Sequence, residues 1–585
     1  MKAIRYTLMI IAAGLLASCD FLEPEADNTR EEGILDEGAY FCGPLNTAYV
    51  NLPQTFDLEM DALTDNAVIR NFSGEYYKGG VGATDPSNNP LDCWNNCYMN
   101  IRMLNIFLER MVLSDDTPYK TPVRFLALTN DQAYNDNIRL FWRYKGEAYA
   151  LRAWYNFELL RNFAGEGVNG EMLGMPLVGD KILSQSDNLN IPRASLEECI
   201  KAIVDDCDSA VVVCKLPDLY TGTADIVANQ TISNHMSGAA AKAIKAKALL
   251  LAASPAYNKT GDPEKWEAAA LAAAEAVKAV GGINTAFMTR ADYYFGKINN
   301  TSMTQNNVIL KGRWVTGNSA LEADNYPVAL YGKALLNVSQ NLVDAFTDNQ
   351  GYPISVSTVY NPSKPYANRD PRLAESVGFD GGKIGSYTIN IAEGGADFYT
   401  PGAQTTRSGY YLKKALNCAQ VVVGPSNQKK GTARANILIG LPEIYLMYAE
   451  AANQAWGVTA DPKGVGFTAK QALERILKKD DTSGKLCGYL NNVVGTDQAK
   501  FNEYVRLQRR IELCFEGQYY YDLRRWYAGL DNWADYINVD VFGTKKEGTA
   551  YTKVLLEKRI FKSAYPPIPY TEIFNAGLVQ NKGWK

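Results

Sequence analysis

Side chains able to do chemistry are few in this chain. There is one histidine, His235, among 585 residues. Nucleophilic catalysis of the Ser-His-Asp or Cys-His kind would have to run through it. Its surroundings, Ile232-Ser233-Asn234-His235-Met236-Ser237-Gly238, lead into an alanine-rich helix, where it reads as a capping or surface residue. Carboxylate-only chemistry of the glycosidase type needs no histidine and stays open. Acids are densest from Asp57 to Asn66 (Asp57, Glu59, Asp61, Asp65). Their spacing fits no EF-hand loop, and they read as solvated. Of the 10 cysteines only Cys93 and Cys97 are close, one helical turn apart. With the sole histidine far away in sequence they make a poor zinc site. The thiols other than Cys19 read as buried and free, with a Cys93–Cys97 disulfide as the alternative. No metal or cofactor is called for. The net charge of −5 and the lack of a basic block point away from nucleic acid.

Cys19 has a different setting. Lys2 and Arg5 are followed by an uncharged run from Tyr6 to Leu15 and then by Leu16-Ala17-Ser18-Cys19. This order resembles the lipobox of bacterial lipoproteins. The resemblance implies that residues 1–18 are a signal peptide, cut off, and that the Cys19 thiol and new amine are acylated. The apolar run is well short of the ~20 residues a membrane-spanning helix needs. Acyl chains bind a bilayer with roughly 0.8 kcal/mol per buried CH₂, so several of them form a durable anchor. Residues 19–35 are acidic, without apolar period, and read as a tether. Residues 36–585 then form one body.

The elements that must position its residues are mainly α-helical. Trp94 opens a helix whose face carries Tyr98, Ile101, Leu104, Leu108 and Met111. A second runs from about Asp136 to Asn162, with Phe141, Tyr144, Ala148, Leu151, Tyr155 and Leu159 in one stripe, and Gly165 stops it. Others cover Leu196 to Cys214 and Ser237 to Ala253, the latter closed by Pro255. Asp262-Pro263 combines a capping carboxylate with proline at the first helical position, and Gly281-Gly282 ends that helix. Such pairs, small residues facing large, are similar to tetratricopeptide pairs, although the period of about 34 residues is not evident. From about 285 to 435 the helical period fades into Gly, Asn, Pro and Tyr, a stretch too long for one loop; it reads as an irregular lobe. Helices return at Leu441 to Trp456, Thr468 to Lys479, Gln498 to Phe515 and Tyr519 to Tyr527. The helical scaffold thus covers about 94–282 and 436–585. Pro566, Pro567 and Pro569 fix an extended tail.

Four stretches carry a family likeness: Tyr144-Lys145-Gly146-Glu147-Ala148-Tyr149-Ala150-Leu151-Arg152-Ala153-Trp154-Tyr155; Leu446-Met447-Tyr448-Ala449-Glu450-Ala451; Arg510-Ile511-Glu512-Leu513-Cys514-Phe515-Glu516-Gly517-Gln518 with Asp522-Leu523-Arg524-Arg525-Trp526; and the closing Pro567-Ile568-Pro569, Glu572-Ile573 and Leu578-Val579-Gln580-Asn581. In this order behind a lipobox, they resemble the SusD/RagB outer-membrane lipoproteins of the Bacteroidetes type across essentially the whole chain. Tyr519 and Gln508 depart from the family's usual arginine and glutamate. The charged motif residues Glu147, Arg152, Glu450, Arg510, Glu512, Glu516 and Arg525 read as pairs between packed helices.

The resemblance implies tetratricopeptide-like helix pairs forming a superhelical scaffold, with an irregular, loop-rich lobe that bears the ligand site. It implies a lipid-anchored protein on the outer face of the outer membrane that captures oligosaccharide or polysaccharide for a SusC-like TonB-dependent transporter. Such a protein is not an enzyme. A peptide-binding, RagB-like lid is the nearest alternative, and a carboxylate glycosidase the alternative from another class. Rings cover the flat faces of sugars, and polar side chains pair with the hydroxyls. Most of the 36 Tyr, 20 Phe and 9 Trp must be core. The rings expected at the ligand are those in Gly- and Asn-rich surroundings: Trp94 with its neighbours Asn95 and Tyr77, and Trp314 and Tyr326 in the lobe. Asp65 and Asn66 are the expected polar contacts.

Overall fold

Most long helices begin where a short polar side chain can close the free N–H groups of the first turn. The structure, a computed structural model, describes residues 38–53, 58–115, 120–126, 128–184, 187, 190–220, 235–295, 306–312, 319–401, 404–421, 423–424, 433–434 and 436–584. Helix α1 spans Gly43–Val50 and α2 Trp94–Arg110. Asn130 accepts from Ala133 N to start α3, Asp131–Phe163, five residues earlier than the apolar stripe suggests. Ser195 and Glu198 form a capping box at α4, Leu196–Asp208, which runs on as a wide turn, Ser209–Val213. Ser237 caps α5, Gly238–Ala253, and Asp262 caps α6, Pro263–Ala279. After the lobe come α7, Leu441–Trp456; α8, Ala469–Leu477, with a Thr468–Gln471 capping box; α9, Gln498–Glu512; α10, Tyr519–Tyr527; and α11, Tyr570–Ala576.

Each of α2 to α7 packs on the next, and α8 and α9 both lie on α7. This is the stacked-pair arrangement of tetratricopeptide repeats. Its core is one continuous apolar cluster, rich in alanine on α5 and α6, where small side chains let the helix backbones approach. Among the described residues no helix is long and apolar enough to cross a membrane.

One helix pair is interrupted. Residues 280–440 separate α6 from α7, yet the two pack closely. The neck of this insertion is a two-stranded antiparallel ribbon of β2, Val308–Lys311, and β4, Ile437–Gly440. Tyr445 on α7 donates to Gly282 O at 2.8 Å, so the two ends of the insertion meet. Inside it lie short helices and strands around a separate apolar cluster. That cluster also takes in β1, Ala67–Ile69, which pairs with β3, Leu336–Val338. The hairpin of β5, Asp540–Glu547, and β6, Ala550–Lys558, was not foreseen from the sequence. Thr544 N donates to Ser408 O at 2.8 Å. A Cβ on Gly543 would stand 2.8 Å from Ser408 Cα, and one on Gly409 2.6 Å from Thr544 O, so only glycine fits at this backbone-to-backbone contact.

All seven motif charges are paired, though not all between packed helices: Glu147 pairs with Arg143 within α3, Arg510 with Asp65 before β1, and Glu516 lies beyond the end of α9. Glu450 on α7 accepts from both Arg525 terminal nitrogens at 2.6 Å and from Trp526 Nε1 at 2.8 Å. Arg152 on α3 reaches Asp206 on α4 at 2.7 Å. Glu512 faces Arg372 at 3.1 Å and Lys479. Glu516 meets Lys414 at 2.8 Å and Tyr294 Oη at 2.7 Å. The two departures from the family pattern keep a contact: Gln508 Oε1 accepts from Arg372 at 2.7 Å, and the Tyr519 ring lies 4.6 Å from the Arg510 guanidinium. Glu147 accepts from Arg143 Nε and from Tyr49 Oη, both at 2.8 Å, and pairs with His235 Nδ1 at 2.8 Å. His235 is therefore a partner in a buried cluster, not a cap or a free surface residue; Ser237 does the capping. The nine cysteines among the described residues are all free thiols, Cys93 and Cys97 included.

Burial alone would raise the pKa of Glu147, Glu450 and Glu512, but the cations against them prevail and pull each to about 2. These acids bind fewer protons folded than unfolded. Their contribution is full above the usual value of 4.5 and is lost as pH falls toward 2. Thermal unfolding followed by circular dichroism should therefore show a flat melting temperature at neutral pH and a steep fall below about pH 4.5. Glu450→Gln leaves buried guanidinium charge unmatched. It should destabilise the fold by about 3–5 kcal/mol, read as a lowered urea midpoint.

Candidate functional site

The structure does not gather the expected ligand residues into one place. Trp94, the first residue of α2, is only 5% exposed. Its ring packs on Tyr98 and Phe163, both with centroids at 5.1 Å. It is a core ring of the scaffold, which corrects the expectation of a displayed one. Asn95 beside it is exposed. Tyr326 is fully buried in the lobe, its hydroxyl donating to Asn417 O, so it too is a packing residue. Asp65 and Asn66 are also buried and serve the fold. Arg510 donates to Asp65 Oδ2 at 2.9 Å and to Asn66 Oδ1 at 2.8 Å, and Asn66 donates to Asp61 at 2.7 Å. The acids Asp61 and Asp65, read as solvated, are held inside because each has a donor partner. Cys19 and Trp314 lie outside the described residues.

Tyr77 is the expected ring that reaches a surface. It is half-buried and meets Phe72 edge-on, with centroids 5.0 Å apart. Phe72 is 54% exposed at the tip of a turn in which Asn71 Oδ1 accepts from Ser73 N and Oγ. The Arg407 guanidinium lies over the Phe72 ring, 4.8 Å from its centroid. Arg407 is itself fixed by Glu557 and by Ile69 O, each at 3.0 Å. One side of Phe72 is thus supported by a held cation, while the ring remains open to solvent. The sequence carries a signal for this ring: Arg70-Asn71-Phe72-Ser73-Gly74 is as rich in turn residues as the surroundings of Trp94 and Trp314.

Elsewhere the surface offers less for a ring-shaped ligand. A narrow, partly open cavity at the seam between lobe and scaffold is lined by Arg290, Tyr293, Lys414, Lys479, Asp480 and Glu516, with a volume of about 30 Å³. That is room for one or two waters, not a sugar. An open groove along Val211–Val213, Lys242, Lys245 and Glu275 is large, near 950 Å³, but no ring lines it. Two of its three lysines are paired, Lys242 with Asp218 at 2.7 Å and Lys245 with Asp208 at 2.8 Å. No cluster of His, Cys, Asp and Glu able to hold a metal occurs among the described residues. The buried acids Glu147, Glu450 and Glu512 are held as anions and cannot serve as proton donors near neutral pH.

A stacked-helix scaffold carrying a loop-rich insertion, with rings at its surface turns, defines the class. Residues 293–584 match the SusD family, and residues 20–250 match a family described as starch-binding and associating with the outer membrane. The chain belongs to the SusD family. A SusD-like protein from Bacteroides fragilis shares the fold with a TM-score of 0.69 at 21% identity, covering 95% of this chain and 99% of that one. A SusD-like carbohydrate-binding protein from the same species gives 0.65 at 18% identity, over 92% and 98%. A SusD homologue from Bacteroides thetaiotaomicron gives 0.60 at 16% identity, over 96% and 100%. No curated protein sequence matches the chain.

Trp94→Ala separates a core role from a ligand role. It should destabilise the fold by about 3–5 kcal/mol through the cavity it leaves. Chemical denaturation would show this; an unchanged midpoint would return Trp94 to the ligand side.

Proposed function

We propose that this protein is an outer-membrane lipoprotein, anchored through acyl chains on Cys19, that captures oligosaccharide or polysaccharide at the cell surface. It hands the glycan to a SusC-like TonB-dependent transporter and does not cut it. The observation that carries this reading is the match of residues 20–250 to a family described as starch-binding and associating with the outer membrane. The likeness to a carbohydrate-binding SusD-like protein supports it. So does the displayed Phe72 ring with Tyr77 beside it.

In this reading a sugar face lies on Phe72, with Tyr77 at its edge. About 100 Å² of sugar face on one ring contributes about 2.5 kcal/mol at ~25 cal/mol/Å². Two or three such contacts, less the cost of ordering the glycan, give a dissociation constant of order micromolar to millimolar. That strength suits a protein that must release its cargo.

Native gels cast with a polysaccharide panel test the reading. The protein should be retarded by at least one glycan and release no new reducing ends from it. Phe72→Ala should weaken binding roughly tenfold while the melting temperature moves little, because the ring is exposed. Retardation by no glycan, with binding of peptides instead, would replace the reading by a peptide-capture one. New reducing ends would make the protein a glycosidase.

A further inference from the structure

The tail after the proline run ends in α11, a helix with two outward rings. Tyr570 is 53% exposed and Phe574 75%, the latter the most exposed large apolar side chain among the described residues. They stand four residues apart on one face. Their planes differ by 21° and their centroids are 6.3 Å apart. Ile573 and Ala576 turn the other way and pack on the scaffold core. The helix is held rigidly. Gln580 closes both backbone groups of Ile568 at 2.8 and 3.0 Å, Asn581 donates to Pro566 O at 2.7 Å, and Tyr570 N donates to Pro86 O at 2.9 Å.

We propose that Tyr570 and Phe574 form a second glycan platform, separate from the Phe72–Tyr77 surface, for consecutive rings of a neutral polysaccharide; it rests on the glycan-binding reading above. Buried rings in this protein mostly meet edge-on, as Trp94 and Phe163 do at 79°. A near-parallel, displayed pair instead leaves two ring surfaces open to solvent on one helix face, against which sugar faces can pack. The rim favours this occupant over others. Glu572 is the only charged residue from Tyr565 to Gly577, with Thr571 and Asn575 beside the rings. An anionic lipid surface requires Lys and Arg there, and an acidic glycan would be repelled. Two rings, at most ~250 Å² each, fall well below the ~800 Å² a side of a stable protein interface.

The test uses the detergent-solubilised full-length protein in native gels containing soluble starch, galactomannan or mixed-linkage β-glucan. The comparison set is the unaltered protein, Phe72→Ala, the pair Tyr570→Ala/Phe574→Ala, and the ring-preserving pair Tyr570→Phe/Phe574→Tyr. The alanine pair should weaken binding to a retarding polysaccharide roughly tenfold, with an unchanged melting temperature. The ring-preserving pair should stay within about twofold of the unaltered protein. If the unaltered protein and Phe72→Ala differ but the alanine pair binds like the unaltered protein, the platform is overturned while the glycan reading stands. If no polysaccharide retards any form, the glycan reading falls and the platform with it. Loss of binding to phosphatidylglycerol vesicles, with glycan retardation unchanged, would also overturn it.

Discussion

Charge taken out of water governs this architecture, and one knot of it lies on the last turn of α9 and the residues just after it. Arg509 turns to Asp522 at 2.9 Å, Arg510 to Asp65, Glu512 to Arg372 and Lys479, and Glu516 to Lys414. Each of these buried ions would cost several kcal/mol if left alone. The partners come from the scaffold, from the segment before β1 and from the lobe. These three parts must therefore be in register at once for all of the charges to be satisfied. This arrangement specifies position more than it adds stability, since an apolar seam could hold the same surfaces without fixing their relative placement.

The same requirement explains which parts of the molecule were legible in the sequence. Helices α4, α5, α6 and α8 announce themselves through Ser195, Ser237, Asp262 and Thr468, because a cap and an apolar stripe are both local. The pairing role of Glu450 and Arg525 followed from their placement on helices. The lobe was legible only as a loss of period, since its short strands pair with segments far away, β1 with β3 across more than 260 residues. The hairpin of β5 and β6 escaped although Glu547-Gly548-Thr549-Ala550 has a turn glycine, with φ +60° at Gly548, between two runs of strand-forming residues.

The site was less legible than the fold. A Gly- and Asn-rich neighbourhood marks where the chain turns, but not whether a ring beside the turn faces in or out. Trp94 and Tyr326 both sit beside such sequences and both face in, whereas Phe72 faces out. Asp61 and Asp65 looked like solvated acids because their donors, Asn66 and Arg510, are visible only in three dimensions. His235 looked like a cap because Glu147, its partner, lies 88 residues away. What decides display in each case is the far side of the chain: Arg407 behind Phe72 holds the ring in place without covering it.

The neck of the insertion has one more implication. Because Gly282 and Tyr445 touch, the lobe leaves and rejoins the helix stack at nearly the same point. A closed loop of this kind feels added length only weakly, about 0.6 kcal/mol for each doubling. The stack behaves like a socket and the lobe like a removable fitting. Insertions or exchanges beyond the β2–β4 ribbon can recast the outer surface while the spacing of α6 and α7 stays as it is.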